Sequence, residues 1–238
     1  MTTLTKIIVA TLLSLSLVSC NFNFGVAGNG NVTIEDRAVN ESFTSIKATE
    51  GLNVYLTQSD IESISVEADE NLHELIITEV ENGVLKIHTK ENIGRSQSKK
   101  IMVSFKTISG ITSTSGSNVY STNTIAVDNL ELNSTSGSNM TLEVNATVLK
   151  SKSTSGSNIR LSGTTSQIIA EATSGSNVKA GDLNSESSEV KATSGANITV
   201  NTSKKLVAKA TSGGDIKYYG NPETVEKSDN VSGSIRKK

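Results

Sequence analysis

Hydrophobic and polar residues alternate with a period of two in several short stretches of residues 39–108. Leu52, Val54 and Leu56 form one such stretch, and similar ones follow up to residue 105. Alternation over four to eight residues predicts half-buried β-strands. The sequence Glu81-Asn82-Gly83 between two such stretches predicts a hairpin, because Asn and Gly tolerate positive φ. Only one helical turn is expected, at 72–76 after Asn71.

Between residues 109 and 222 the alternation becomes a repeat. Thr-Ser-Gly occurs six times, and its successive glycines are 21, 19, 19, 20 and 18 residues apart. A period of this length is typical of a solenoid. The glycines are Gly116, Gly137, Gly156, Gly175, Gly195 and Gly213.

The copies share one pattern when they are aligned on these glycines. Aliphatic or small residues recur seven, five and three positions before the glycine and three and five positions after it, with polar or charged residues between them. Each repeat is therefore expected to be two strands joined at Ser-Gly-Ser. A coil of about 20 residues without a helix fits one rung of a parallel β-helix. The predicted fold is all-β: a right-handed parallel β-helix over 109–222, with a β-rich region over 39–108 that is continuous with it or caps it.

A polar residue follows each of the six glycines by two positions. In register these residues would form a ladder whose amides hydrogen-bond along the stack. The ladder could be a recognition stripe, or it could close the turns and satisfy buried polar groups, which is the interpretation we favour. A left-handed glycine is expected in each turn, so Gly156→Val should lower thermal stability. The ladder residues are Asn118, Asn139, Asn158, Asn177, Asn197 and Asp215.

The N-terminus resembles a bacterial lipoprotein signal. Residues 7–19 are apolar, too few to span a membrane as a helix, and they end in Leu17-Val18-Ser19-Cys20 with the only cysteine of the chain. We therefore predict a signal peptide over 1–19, a lipidated Cys20 with a tether over 20–38, and anchoring to a membrane of the cell envelope. We expect the anchor to lie in the outer membrane, and the sequence favours neither its periplasmic nor its surface face. Residues 223–238 are a polar tail or a partial last rung.

Composition narrows the function classes. A formal net charge of −2 does not provide the positive surface that nucleic-acid binding requires. Aromatic residues make up 3% of the chain and include no Trp, which argues against an aromatic sugar-binding subsite. One cysteine excludes an internal disulfide and a Cys-rich metal site, and the two histidines lack a second ligand at metal spacing, so no cofactor is expected. Glu131 and Glu189 share a column but lie three rungs apart, roughly 14 Å, which is too far for concerted catalysis.

Several segments resemble the head GIN domain family of auto-transporter adhesins over about residues 38–222. They include Gly51-Leu52-Asn53-Val54-Tyr55-Leu56, Thr78-Glu79-Val80-Glu81-Asn82-Gly83-Val84-Leu85, the Ser-Gly-Ser-Asn repeats and Tyr219-Gly220-Asn221-Pro222. The resemblance implies a β-helical envelope protein with an adhesive role and supplies no catalytic residues. We therefore expect a non-enzymatic envelope lipoprotein with a glycan or protein ligand. The alternatives are a polysaccharide-binding or polysaccharide-degrading β-helix and, less favoured, an ice-binding array.

Overall fold

The computed structural model describes residues 25–230 and 232–238, and these residues form a β-solenoid of about 7 turns with ~19-residue rungs. The predicted all-β class and the parallel β-helix are confirmed. No helix in the described ranges is long and apolar enough to span a bilayer. The strands are β1 (Val32–Arg37), β2 (Ser45–Ala48), β3 (Asn53–Gln58), β4 (Ser63–Asp69), β5 (Ile76–Glu81), β6 (Val84–Thr89), β7 (Lys99–Phe105), β8 (Gly110–Ser113), β9 (Asn118–Ser121), β10 (Ile125–Ser134), β11 (Asn139–Ser153), β12 (Asn158–Ala172), β13 (Asn177–Ala192), β14 (Asn197–Ala210), β15 (Asp215–Tyr219), β16 (Thr224–Asp229) and β17 (Ser234–Lys237).

The repeats stack in parallel and in the register that their glycines predict. Strands β11 to β14 each begin at a ladder asparagine and run 14 to 16 residues to the next Thr-Ser-Gly turn. Leu149 lies beside Leu130 on one side and Ile168 on the other, and all three are buried. Each of β11 to β14 pairs with the rungs before and after it, so backbone hydrogen bonds along the stack stabilise a solenoid whose narrow interior holds mostly small and aliphatic residues.

The solenoid has two sheet faces, which we call the asparagine face and the opposite face. The asparagine face contains the first halves of β11 to β14, which pair onward to β9 and β3 at one end and to β15 and β17 at the other. The opposite face contains their second halves, which pair onward to β10, β8, β2 and β16. The hydrophobic columns fill the space between the two faces.

The N-terminal region adds rungs in an order that differs from the order of the chain. The rung of β2 and β3 lies between that of β6 and β7 and that of β8 and β9. Strand β4 joins β7 antiparallel, and β5 joins β6 through the predicted hairpin, whose Asn82 and Gly83 have φ of 51° and 74°. The predicted helical turn is a short 3-10 turn, Glu70–Leu72, and Asn71 does not cap it. The Asn71 side chain instead binds the backbone of residues 27 and 29.

The chain is docked onto this end from residue 25 onward, within the segment 20–38 that the sequence predicts as a tether leading to a first strand. The buried carboxylate of Asp69 accepts backbone N–H groups of Gly30, Gln97 and Ser98 at 2.8, 2.9 and 3.0 Å. These bonds, that of Ser98 foremost, lower the pKa of Asp69 and overcome the opposing effect of burial. Strand β1 then pairs antiparallel with β4. Cys20 and the predicted signal peptide lie outside the described residues.

The C-terminal segment extends the stack beyond the last Thr-Ser-Gly turn. Strand β16 pairs in parallel with β14, and β17 pairs in parallel with β15. All six side chains of β16 are exposed, and Glu226, Lys227 and Asp229 are charged. Charged side chains on such an outer strand oppose pairing with another chain.

Candidate functional site

The Thr-Ser-Gly turns form a column at one corner of the solenoid. Ser155 and Gly156 have φ of 53° and 71°, and the Ser157 N–H donates to the Thr154 carbonyl at 3.2 Å, which is the pattern of a type I′ turn. The Gly156 N–H also donates to Ser174 of the next turn at 3.1 Å, so the turns pair with one another. The left-handed glycine was predicted from the sequence. The left-handed serine was not, because serine has no marked preference for positive φ.

Buried serine hydroxyls brace the first four turns from the inside, through Ser117, Ser138, Ser157 and Ser176. The Ser153 and Ser157 hydroxyls lie 2.8 Å apart, and Ser157 Oγ donates to the Ser134 carbonyl of the preceding rung at 2.7 Å. Ser176 Oγ donates to the Ser153 carbonyl in the same way. Each hydroxyl inside the corner thus has a partner, as buried polar groups require.

The predicted asparagine residues lie side by side on the asparagine face. Asn118, Asn139, Asn158, Asn177 and Asn197 are neighbours in successive rungs. Each side-chain amide donates to the asparagine of the preceding rung at 2.8 to 3.0 Å, and Asn118 donates to Asn53, which the repeat pattern does not include. Each inner asparagine therefore donates one bond and accepts one within the stack. This bonding favours the interpretation in which the ladder is structural.

Asp215 ends the ladder with an ion cluster. It lies beside Asn197, and its carboxylate is 2.9 Å from both Lys217 Nζ and an Arg236 guanidinium nitrogen. Burial raises the pKa of Asp215, but the hydrogen bonds from the two cations outweigh burial and leave that pKa below its usual value. The charge of Asp215 is thus balanced within the solenoid.

A polar groove lies where the chain crosses from the asparagine face to the opposite face, and the sequence did not predict it. We call it the corner groove; its cavity is about 790 Å³ and crosses five successive rungs, which span roughly 19 Å at the rung spacing. One register column in it contains Asn145, Thr164, Asn184 and Asn201. Its lining consists of Thr107, Ala126, Val127, Asp128, Asn145, Ala146, Thr147, Thr164, Thr165, Ser166, Asn184, Ser185, Glu186, Asn201 and Ser203.

Neighbouring groove side chains hydrogen-bond in pairs and leave other polar atoms toward the solvent. Thr164 Oγ1 donates to Asn145 Oδ1 at 3.2 Å, and Asn201 Nδ2 donates to Asn184 Oδ1 at 2.9 Å. Asn145, Thr164 and Asn184 are exposed. The groove therefore presents hydroxyl and amide groups, both donors and acceptors, whose positions are fixed by the sheet.

Two carboxylates line the corner groove, and they are far apart. Asp128 and Glu186 occupy one column three rungs apart, roughly 14 Å at the rung spacing. Carboxylate pairs that hydrolyse glycosides are about 5–10 Å apart. Glu186 also forms an ion pair with Lys204 at 2.8 Å, and its hydrogen bond raises the pKa of Lys204. These two carboxylates do not form a hydrolytic pair.

Neither the two histidines nor Glu131 and Glu189 line the corner groove. Buried His73 lies 3.0 Å from Thr33 Oγ1, and His88 lies 3.0 Å from Glu79. Glu131 and Glu189 share a column, separated by Lys150 and Ile169. In residues 25–230 and 232–238, no three His, Cys, Asp or Glu side chains are grouped so as to hold a metal ion.

Known structures share the fold. A "putative adhesin" from Bacteroides fragilis matches with a TM-score of 0.83 and 23% identity, covering 90% of this chain and 100% of that one. A "putative lipid binding protein" from Parabacteroides distasonis matches with a TM-score of 0.73 and 24% identity, covering 90% of this chain and 99% of that one. A "putative adhesin" from Parabacteroides merdae matches with a TM-score of 0.69 and 18% identity, covering 89% and 98%.

No curated protein sequence matches the chain. Residues 42–222 match the family model described as "Putative auto-transporter adhesin, head GIN domain". This match spans most of the chain and agrees with the resemblance found in the sequence and with the β-solenoid. The chain therefore belongs to the auto-transporter adhesin head GIN domain family.

Proposed function

We propose that this protein is a non-enzymatic, lipid-anchored adhesin of the cell envelope that binds a carbohydrate chain along the corner groove. One observation carries the proposal. Hydroxyl and amide side chains repeat in register along four successive rungs of the groove, so a polymer with repeating hydroxyl groups would find repeating partners. The adhesin family supports the same function class.

The chemistry of the groove favours a carbohydrate over other polymers. Asp128 places negative charge in the groove, and the described residues that line it include no lysine or arginine to bind the phosphates of a nucleic acid. An acyl chain would need a mainly apolar lining, whereas the alkyl groups here are limited to Ala126, Val127 and Ala146 beside hydroxyl and amide groups. Sugar hydroxyls both donate and accept hydrogen bonds, and the groove offers both kinds of partner.

The proposed anchor places the domain close to the membrane. Gly25, the first residue that the structure describes, follows Cys20 by five residues, which extend at most about 18 Å. Lipid on Cys20 would therefore hold the N-terminal end of the solenoid near the bilayer. Successive rungs of the groove would then lie progressively farther from this end along the stack.

Carbohydrate binding by the lipid-free chain tests this proposal. The Cys20→Ser protein is titrated with cellohexaose, maltohexaose, yeast mannan and chondroitin sulfate, and binding is followed by calorimetry. The double variant Thr147→Val/Thr164→Val keeps the shape of the groove and removes two hydroxyls, so it should bind about 5–30-fold more weakly. Thr141→Val, on the exposed asparagine face, is the matched control and should bind like the unaltered groove.

Two results would contradict the proposal. Equal affinity of the double variant and the Thr141→Val control would exclude the groove as the binding site. Release of new reducing ends from any of these glycans would instead support the alternative of a polysaccharide-degrading β-helix.

A further inference from the structure

A second cleft adjoins the corner groove near the C-terminal end of the solenoid, and the two share Asn201. We call it the tyrosine cleft; its volume is about 440 Å³. Its position means that a chain lying in the groove could extend into it. The cleft is lined by Lys179, Gly181, Asp182, Thr199, Asn201 and Tyr219.

The backbone fixes Tyr219 at the rim of this cleft. Tyr219 is the last residue of β15 and pairs with Asn201 of β14. Gly220 follows with φ of +85°, and a Cβ there would lie 2.2 Å from the Thr202 carbonyl oxygen, so the bend needs glycine. Tyr219 is nevertheless 43% exposed as a residue. An aromatic ring held at a rigid bend and open to solvent is suited to contact a ligand.

Gly181 provides the space beside the tyrosine ring. A Cβ on Gly181 would lie 3.3 Å from Tyr219 Cε2 and 3.4 Å from Thr199 Cγ2. Its φ is outside the left-handed region, unlike that of Gly220. The backbone therefore does not require glycine at 181, and the missing side chain leaves the room in which the Tyr219 ring lies against β13.

Two charged side chains on the cleft have no ion pair. Lys179 and Asp182 are exposed, and neither is joined in an ion pair to any other residue in the described ranges. Asp215 and Glu186 nearby are both neutralised by cations. The carboxylate of Asp182 and the ammonium of Lys179 thus remain open to hydrogen-bond an external group.

We infer that the tyrosine cleft is a binding subsite for a single neutral pyranose unit of the carbohydrate chain. The C–H face of the sugar would lie on the Tyr219 ring, and Asp182 would accept hydrogen bonds from two neighbouring hydroxyls. Lys179 donates to a further sugar oxygen. This inference rests on the proposed function for the ligand class, and it adds the type of sugar unit and the residues that select it.

The low aromatic content of the chain argued against such a subsite. A single aromatic ring is sufficient to contact one sugar, so the low total does not exclude the subsite. Tyr219 of β15 reaches Gly181 of β13 across the intervening strand β14. The separation of these residues in sequence conceals the cleft.

The test uses the Cys20→Ser full chain and the methyl glycosides of glucose, galactose, mannose and N-acetylglucosamine. Binding is measured by calorimetry, because only one of the four tyrosines of the chain lies in the cleft and Tyr219→Ala would remove it as a fluorescent reporter. Tyr219→Ala should weaken the binding of the preferred glycoside at least about tenfold. Gly181→Val should weaken it similarly, because the added side chain would displace the Tyr219 ring while every polar group of the cleft remains. Val225→Ala and Lys209→Ala, both exposed, are controls that should bind normally.

The outcomes separate this inference from the proposed function. If oligosaccharides bind through the groove but Tyr219→Ala and Gly181→Val bind every sugar like the controls, the subsite is wrong and the groove stands. If these two variants lose binding while Thr147→Val/Thr164→Val does not, the subsite stands and the groove is wrong. If no glycan or glycoside binds at all, both are wrong. Melting temperatures of all variants within the range of the controls show that the fold is retained.

Discussion

Two glycines with positive φ allow backbone strain and steric conflict to be measured separately. Gly156 has φ of +71°, and a Cβ placed there would meet no atom within 4 Å. Gly163 has φ of +104°, and its Cβ would lie 2.1 Å from the Val144 carbonyl oxygen of the neighbouring rung. Alanine at Gly156 therefore adds only conformational strain, whereas alanine at Gly163 also collides with backbone.

The expected destabilisation follows from these contacts. A non-glycine residue in the left-handed region costs about 1–2 kcal/mol. For a domain of this size, 1 kcal/mol lowers the melting temperature by about 2–4 °C, so Gly156→Ala should lower it by about 2–8 °C. Gly163→Ala should lower it by more than Gly156→Ala, because the carbonyl of Val144 belongs to a paired strand and cannot move without breaking its register. Gly156→Val should exceed Gly156→Ala, because a β-branched residue tolerates positive φ less well.

Substitution of the left-handed serine of the turn, Ser155, should raise the melting temperature instead of lowering it. Ser155 has φ of 53°, and asparagine adopts such a conformation more readily than serine. Ser155→Asn should therefore raise the melting temperature by converting the turn to Asn-Gly. The side chain is exposed, so the change removes no packing.

Thermal melting followed by far-UV circular dichroism measures all of these variants. The type I′ turn would be refuted if Gly156→Ala melted at the temperature of the unaltered protein and Ser155→Asn melted below it. Equal effects of alanine at Gly156 and Gly163 would show that the close approach to Val144 is absent.

Three further predictions address the capping carboxylate, the ladder and the anchor. Because the folded-state pKa of Asp69 is lowered, its ionised form stabilises the fold above the unfolded pKa of about 3.9, and this contribution is lost as the pH falls toward the folded-state pKa. Asp69→Asn should therefore weaken the dependence of melting temperature on pH in acid; an unchanged dependence would exclude this role. Asn158→Ala removes one donated and one accepted ladder bond and should lower the free energy of unfolding in urea by about 1–3 kcal/mol, whereas no loss would favour a purely recognitional ladder. Cys20→Ser should abolish labelling of the protein with palmitate, because Cys20 is the proposed site of lipidation, and labelling that persists in the variant would contradict lipid anchoring.

The repeat could be predicted from the sequence because its signal is local and recurrent. The Thr-Ser-Gly spacing and the columns of small and aliphatic residues predicted parallel rungs in register, and the pairing of Asn139, Asn158 and Asn177 confirms this. The hairpin at Asn82-Gly83 was predictable for the same reason, since turn chemistry depends on adjacent residues.

The corner groove could not be predicted from the sequence, because its residues do not follow the repeat glycines at a constant spacing. Asn145 and Thr164 each follow their repeat glycine by eight residues, Asn184 by nine and Asn201 by six. Irregularities of register between β12 and β13 and between β13 and β14 absorb these differences and bring the residues into one column. Alignment on the glycines therefore could not reveal the groove.

The sequence by itself determined the rung, because period-two alternation and a recurring glycine turn specify which side chains point inward and which residues superimpose. Tertiary structure alone decided which polar surfaces face a common cavity. The order of the N-terminal rungs, the docking of residues 25–31 on Asp69 and the meeting of Tyr219 with Gly181 each join segments that are distant in the chain. Such contacts depend on how bulges and turns offset one rung against the next, and no local pattern encodes that offset.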